Sequence, residues 1–237
     1  NLWLGYKDDI EKYAKNRSER NIIRYLMHSA NNLNDRISFS KIANQQYTSK
    51  SIAEAFRAID QARIIQLRYP ITNVIPPLNV NRARRPKAQF LDTGLLNFMQ
   101  SNLSDLLMVN DLNEISKGRL LEHLIIQEVQ AQFSSPLYKS HFWVREKSNS
   151  NAEVDLVVYT SKYVIPIETK SGKQGRLRSL HEFMDRTNHP YAIRFLNNYF
   201  SKEQAITPKG TKFTLYNLPY YLGSQLLRYL DWILEES

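Results

Sequence analysis

Glu153-Val154-Asp155-Leu156-Val157-Val158-Tyr159, then Thr160-Ser161-Lys162, then Tyr163-Val164-Ile165-Pro166-Ile167-Glu168-Thr169-Lys170: the reading of this stretch decides the fold. Two runs rich in β-branched and aromatic residues, separated by a few polar ones, predict a β-hairpin. Strand side chains two apart share a face, which groups Glu153, Asp155, Val157 and Tyr159 on the first strand. On the second strand it groups Val164, Pro166, Glu168 and Lys170. If Ser161-Lys162 is a two-residue turn, Thr160 pairs with Tyr163 and Tyr159 with Val164. Asp155 then faces Glu168, and Glu153 faces Lys170. Two facing carboxylates repel and are costly to desolvate, so the pair predicts something positive between them, most simply a divalent metal. Ser-Lys is not a favoured hairpin turn, and a slip of one residue would flip one strand's face. A proline within a strand prefers an edge or a bulge, so Pro166 marks either a bend that aims Glu168 or a later strand start.

Upstream, residues 118 to 133 carry a helical stripe of Gly118, Glu122, Ile125, Ile126, Val129 and Phe133. Glu122 sits on a face that is otherwise apolar, where a carboxylate needs a partner or a metal. Arg119, three residues away, is the structural alternative, and His123 points elsewhere as a structural residue. A strand is expected at His141–Glu146, before the hairpin. After it, Gly172 and Gly175 break the chain, and a helix follows at about 176–187 with Leu177, Leu180, Phe183 and Met184 inward. Tyr191–Leu196 reads as a strand parallel to its neighbours, because a helix separates them. A shorter strand at Lys212–Tyr216 and a helix from about Tyr220 to Leu234 close the chain.

The N-terminal part is mostly helical. A charged lead-in covers residues 1 to 16, a helix starts near Ser18 as N-cap, and two more follow at Ser38–Ala43 and Thr48–Gln61. The chain then extends through Ile64–Pro70 into a return containing Pro70, Pro76 and Pro77. Three helices followed by a strand and a return is the order of a winged helix-turn-helix, whose recognition helix would offer Lys50, Ser51, Glu54 and Arg57 outward. Dimerisation or docking is the competing role, and Glu54 does not favour a phosphate backbone. Asn81-Arg82-Ala83-Arg84-Arg85-Pro86-Lys87 is the densest basic run; Arg82, Arg84 and Arg85 either lie on phosphates or keep a linker solvated. Asp92-Thr93-Gly94 matches the aspartic-protease triplet, but that chemistry needs a second carboxylate loop, so it reads as a helix cap. The expected domains are therefore 1–86 and 87–237.

The 237 residues hold 32 Lys and Arg against 23 Asp and Glu, a formal charge of +9 that favours polyanionic partners. The absence of cysteine excludes disulfides, thiolate metal sites and a cysteine nucleophile. No apolar run reaches bilayer-spanning length and no signal-peptide pattern opens the chain, so the expected setting is cytoplasmic with no membrane partner. The first residue is Asn rather than Met, so the expectation is a fragment of a longer protein.

In order, Glu122 on a helix, Asp155 on a strand and Glu168-Thr169-Lys170 on the next resemble the PD-(D/E)xK, or restriction-endonuclease-like, nuclease fold over roughly residues 87 to 200. The resemblance implies an α/β (α+β) domain with a mixed central sheet flanked by helices. It implies catalytic roles for Glu122, Asp155, Glu168 and Lys170. Mg²⁺ (or Mn²⁺) would be held by Asp155 and Glu168, with the Thr169 carbonyl as a third ligand and Glu122 acting through water or on a second ion. Lys170 would position and help deprotonate the attacking water, and Lys173, Arg176 and Arg178 would hold phosphates. A closer resemblance rests on Lys87–Leu95, Gly118–Glu122, Glu153–Asp155 and Ile167–Ser171. Together these segments look like the C-terminal part of prokaryotic AAA+ family ATPases that end in a nuclease-like domain of unknown function. No Walker A sequence is present, so no ATP site is expected in this chain: either the ATPase lies upstream of a C-terminal fragment, which the non-Met start favours, or it has been lost. The function implied is a Mg²⁺-dependent nuclease module acting on nucleic acid, DNA in the first instance. The alternative is an inactive nuclease-fold domain that binds DNA or protein and regulates an ATPase. Homo-oligomerisation stays open in both.

Overall fold

A computed structural model describes residues 2–28, 35–43, 46–99, 119–135, 137–147, 150–171 and 177–235. The chain divides into two compact units, Asn1–Arg68 with Ala83–Asn110, and Tyr69–Arg82 with Asp111–Ser237.

The first unit begins with α1 (Leu2–Tyr13) and α2 (Arg17–His28). Asn16, rather than Ser18, caps α2: its Oδ1 accepts the Glu19 N–H at 2.8 Å, while the Glu19 carboxylate accepts the Lys15 N–H at 2.6 Å. An Asn followed three residues later by Glu satisfies orphan donors reciprocally, which a serine already inside the first turn cannot do. The short α3 (Phe39–Ile42) leads to α4 (Ser49–Gln61), where the Thr48 hydroxyl accepts the Ser51 N–H at 3.2 Å. Ile52, Ala55, Phe56 and Ile59 form its buried stripe, as their spacing requires. β1 (Ile65–Arg68) follows; β2 (Pro70–Ile71) then leaves for the other unit. β3 (Lys87–Phe90), expected from sequence to open the second domain, pairs antiparallel with β1 instead. Asp92 caps α5 (Thr93–Met99) by accepting the Leu95 N–H at 2.6 Å, so the Asp-Thr-Gly triplet serves a helix start.

The second unit is built on a mixed seven-stranded sheet in the order β2-β4-β5-β6-β7-β9-β8. Its strands after β2 are β4 (His141–Lys147), β5 (Ser150–Tyr159), β6 (Val164–Thr169), β7 (Tyr191–Leu196), β8 (Ser201–Ile206) and β9 (Lys212–Pro219). β4, β5 and β6 are antiparallel, β6, β7 and β9 parallel, and β8 runs antiparallel to β9. A helix, α6 (Arg119–Ala131), covers one face, placing Ile125, Ile126 and Val129 against Leu156, Val158, Ile165 and Ile167. The opposite face is covered by α7 (Arg178–Met184), whose Leu180, Phe183 and Met184 meet Val154, Val157, Val164 and Ala192. Each such fully buried side chain contributes roughly 1.5–3 kcal/mol against leaving it in water. α7 also supplies the crossover that the parallel pair β6–β7 requires. The chain closes with a 3₁₀ turn, Tyr220–Gln225, and α8 (Leu226–Glu235), both packed on the α6 side. Among the described residues no helix is long and apolar enough to cross a membrane.

Candidate functional site

The hairpin adopts the register that a two-residue Ser161-Lys162 turn dictates. Thr160 N–H donates to Tyr163 O at 2.8 Å, and Tyr159, Val158, Val157 and Leu156 pair with Val164, Ile165, Pro166 and Ile167. The unfavoured Ser-Lys turn is supported by the Thr160 hydroxyl, which accepts the Tyr163 N–H at 3.0 Å. Pro166 is tolerated because pairing of β6 with β7 begins only at Ile167, so its missing N–H interrupts no ladder there. One step beyond Leu156–Ile167 stand Asp155 and Glu168.

Strict alternation fails at the acid itself. His141 pairs with Val157 but Trp143 pairs with Val154, so Asp155 and Leu156 together oppose Phe142 alone. This β-bulge puts Val154 and Val157 in the same cluster beneath α7 while Leu156 faces α6. Glu153 therefore does not share a face with Val157, and β5–β6 pairing runs from Tyr159–Val164 only to Leu156–Ile167, short of Glu153 and Lys170; the Glu153 N–H donates to the Ser179 hydroxyl at 3.3 Å.

The bulge aims the Asp155 carboxylate at the end of β6, where its Oδ2 accepts the Thr169 backbone N–H at 2.8 Å. Lys170 forms an ion pair and hydrogen bond with Glu168 Oε1. Its backbone is fixed on both sides: the N–H donates to Phe195 O at 2.9 Å, and the Tyr220 hydroxyl donates to its carbonyl. Glu168 is buried, whereas Asp155, Thr169 and Lys170 are half-buried. Burial opposes charge on the Lys170 amine, but the field and hydrogen bond of Glu168 outweigh it, aided by Asp155 and Glu122, and its pKa is raised above the ordinary lysine value. The group is an ammonium at neutral pH. Glu122, half-buried on α6, thus joins the other acids in the field at one amine, while its neighbour His123 is buried.

Among the described residues, no group of three or more His, Asp or Glu side chains is placed to hold a metal ion. The hard oxygens on offer at the hairpin are Asp155 and Glu168, a number of carboxylates that suits Mg²⁺ with several waters retained. In this arrangement Glu122 is not a direct third ligand.

A polar row at the site was not legible in the sequence. Glu168 is registered beside Arg194 on β7, and Arg194 beside Asn217 on β9. Buried Arg194 donates from Nε to Asn217 Oδ1 at 2.8 Å and lies 3.7 Å from Glu203 Oε1. Glu168, Arg194 and Asn217 each sit in a strand that otherwise reads as largely apolar, so only the pairing reveals them as a set.

The remaining basic positions are divided between the two units. Lys50 and Arg57 are exposed on α4, and Arg84 and Arg85 belong to the same unit. Arg82 belongs to the second unit, with its guanidinium 5.9 Å from the Tyr69 ring centroid. Arg178 is exposed at the start of α7, while Lys173, Arg176 and the expected stripe residue Gly118 lie outside the described residues.

Residues 4–107 match a family profile described as Domain of unknown function (DUF8612). No curated protein and no solved structure matches the chain. Residues 117–221, which carry all four candidate site residues, match a second profile, Domain of unknown function (DUF4143), a domain commonly found in the C-terminal part of AAA-type ATPases.

Proposed function

We propose that the second unit is a PD-(D/E)xK-type, metal-dependent nuclease module, that the first is a winged-helix module, and that both form the C-terminal part of an AAA+ type ATPase. The observation that carries this reading is the cluster at the end of β6, where the Lys170 amine is ion-paired with Glu168 and Asp155 Oδ2 accepts the intervening Thr169 N–H, with Glu122 adding to the negative field at the amine. A divalent cation held there would neutralise charge growing on the phosphate oxygens and acidify a bound water. Asp155 and Glu168 supply hard oxygen donors from two adjacent strands. Lys170, protonated and fixed through its backbone, presents a positive charge to a phosphate oxygen. Thr169 N–H keeps the Asp155 carboxylate turned toward the same end of the strands. Arg178, exposed at the mouth of α7, adds a phosphate contact.

The test is cleavage of a plasmid and of a single-stranded oligonucleotide with Mg²⁺ or Mn²⁺, comparing wild type with Lys170→Ala and Asp155→Ala. Loss of cleavage in both variants supports the reading; cleavage unaffected by both removes it.

The closed Glu168–Lys170 ion pair favours a second reading, an inactive nuclease-fold domain that binds DNA or protein and regulates an ATPase. In that case calorimetry detects neither Mg²⁺ nor Mn²⁺ binding, and the Lys170→Ala variant behaves as a stability mutant only.

A further inference from the structure

β6, β7 and β9 are parallel, so their C-terminal ends lie along one border of the sheet, where open α/β sheets receive ligands. Lys170 leaves β6 at that border. The loop after β7, residues 197–200, must cross the end of β9 to reach β8, because β9 lies between those two strands. The chain leaving β9 emerges beneath it as Pro219-Tyr220-Tyr221. Both segments are tied to Lys170: Phe195 O, two residues before the loop, accepts its N–H, and the Tyr220 hydroxyl donates to its carbonyl.

Three large aromatic rings stand in solvent here. Tyr199 is 87% exposed, Tyr221 76% and Phe200 42%. Phe200 continues the rim onto α8, its ring centroid 6.2 Å from that of Tyr229 and 6.1 Å from that of Trp232. Beside them, on the same helical segment, a groove of about 420 Å³ is lined by Tyr229, Trp232 and Arg228. Exposed aromatics at the border where Lys170 leaves β6, with Arg228 beside them and in a chain with a formal charge of +9, have the chemistry of a stacking platform for unpaired bases.

We infer that this rim binds single-stranded nucleic acid, stacking bases on Tyr199, Tyr221 and Trp232 while Arg228 meets the backbone. The inference deepens the nuclease reading, since it directs an unpaired strand, a flap or an overhang toward Lys170. Base pairs inside a duplex hide the ring faces on which the platform acts, so duplex is the weaker ligand.

Binding is measured in EDTA, without turnover, by anisotropy of a labelled oligothymidine and of a blunt duplex of equal length, using the full 237-residue chain. The expected result is preference for the single strand, weakened roughly tenfold or more by Tyr199→Ala and again by Tyr221→Ala, with Tyr→Phe at either place retaining affinity. Equal affinity for both ligands, or alanine variants that bind as wild type with unchanged melting temperature, overturns the inference. So does a rim occupied by a second copy of the chain, seen as a dimer in sedimentation that Tyr199→Ala dissociates. Single-strand preference that depends on the rings in a chain that never cleaves sinks the nuclease reading alone. Cleavage indifferent to the rings sinks the platform alone.

Discussion

Asp155 on β5 is held by Thr169 on β6, whose backbone N–H donates to its Oδ2 at 2.8 Å. The carboxylate is thereby locked to the residue between Glu168 and Lys170. An asparagine can still accept that N–H, whereas an alanine cannot. Asp155→Asn is therefore expected to keep the wild-type stability within about 0.5 kcal/mol, and, if the site takes a divalent cation, to weaken Mn²⁺ binding in calorimetry. Asp155→Ala should lose about 1–2 kcal/mol of stability and, on the same condition, the cation as well.

Lys170 balances a buried acid. Removing the amine leaves Glu168 charged and poorly solvated, and breaking a buried pair from one side costs about 3 kcal/mol. Lys170→Met should lower the urea midpoint accordingly, and adding Glu168→Gln should recover part of the loss. If the two carboxylates accept a cation, millimolar Mn²⁺ should raise the midpoint of Lys170→Met more than that of wild type. Equal shifts would count against a metal at Glu168.

His189 is buried before β7, with Nε2 2.8 Å from Val164 O and Nδ1 accepting the Tyr191 N–H at 3.2 Å. Both contacts suit the neutral ring protonated at Nε2. Burial lowers its pKa below the ordinary histidine value of 6.5, against the opposing pull of the Val164 carbonyl. A lowered folded-state pKa means the unfolded chain takes up the proton first as acid is added. Stability from this group is complete above pH 6.5 and falls as pH drops toward the folded value. Thermal melts should show a shallower loss below pH 6.5 in His189→Gln. A residual slope of the same sign is expected from His181, whose pKa burial also lowers.

Gly223 packs against α6. A Cβ there would sit 2.9 Å from Ile125 Cδ1, and Ile125 is itself buried with little room to shift. The Gly223 carbonyl also accepts the Gln132 side-chain N–H at 2.7 Å, and Gln132 Oε1 accepts Leu227 N–H at 2.9 Å. Gly223→Ala is expected to cost about 1–3 kcal/mol, and pairing it with Ile125→Val should be less damaging than the separate costs predict. A double-mutant cycle by chemical denaturation checks the coupling.

Sequence reading reached the parts where side-chain pattern and chain geometry agree. The hairpin register followed from a two-residue turn, the α4 stripe from its spacing, and the parallel placement of Tyr191–Leu196 from the helix before it. It missed β8, whose Ser-Lys-Glu-Gln-Ala-Ile carries no apolar alternation because the strand lies at the sheet's border and faces water. The bulge escaped because a register shift leaves no mark on composition. The partnership of β1 with β3 depends on a pairing across the Pro-containing return, which local pattern does not encode. The row from Glu168 through Arg194 to Asn217 is likewise a product of strand order.

The extra residue in β5 has a consequence for how this strand can change over time. Excising Asp155 would leave Val154 and Val157 two positions apart, so Ala152, Val154 and Val157 would keep one layer under plain alternation. Regularising the pairing with no residue removed would instead turn Ala152 and Val154 out of that layer and Glu153 into it. Loss of the Asp155 carboxylate by descent is thus open to excision as well as to exchange of the side chain.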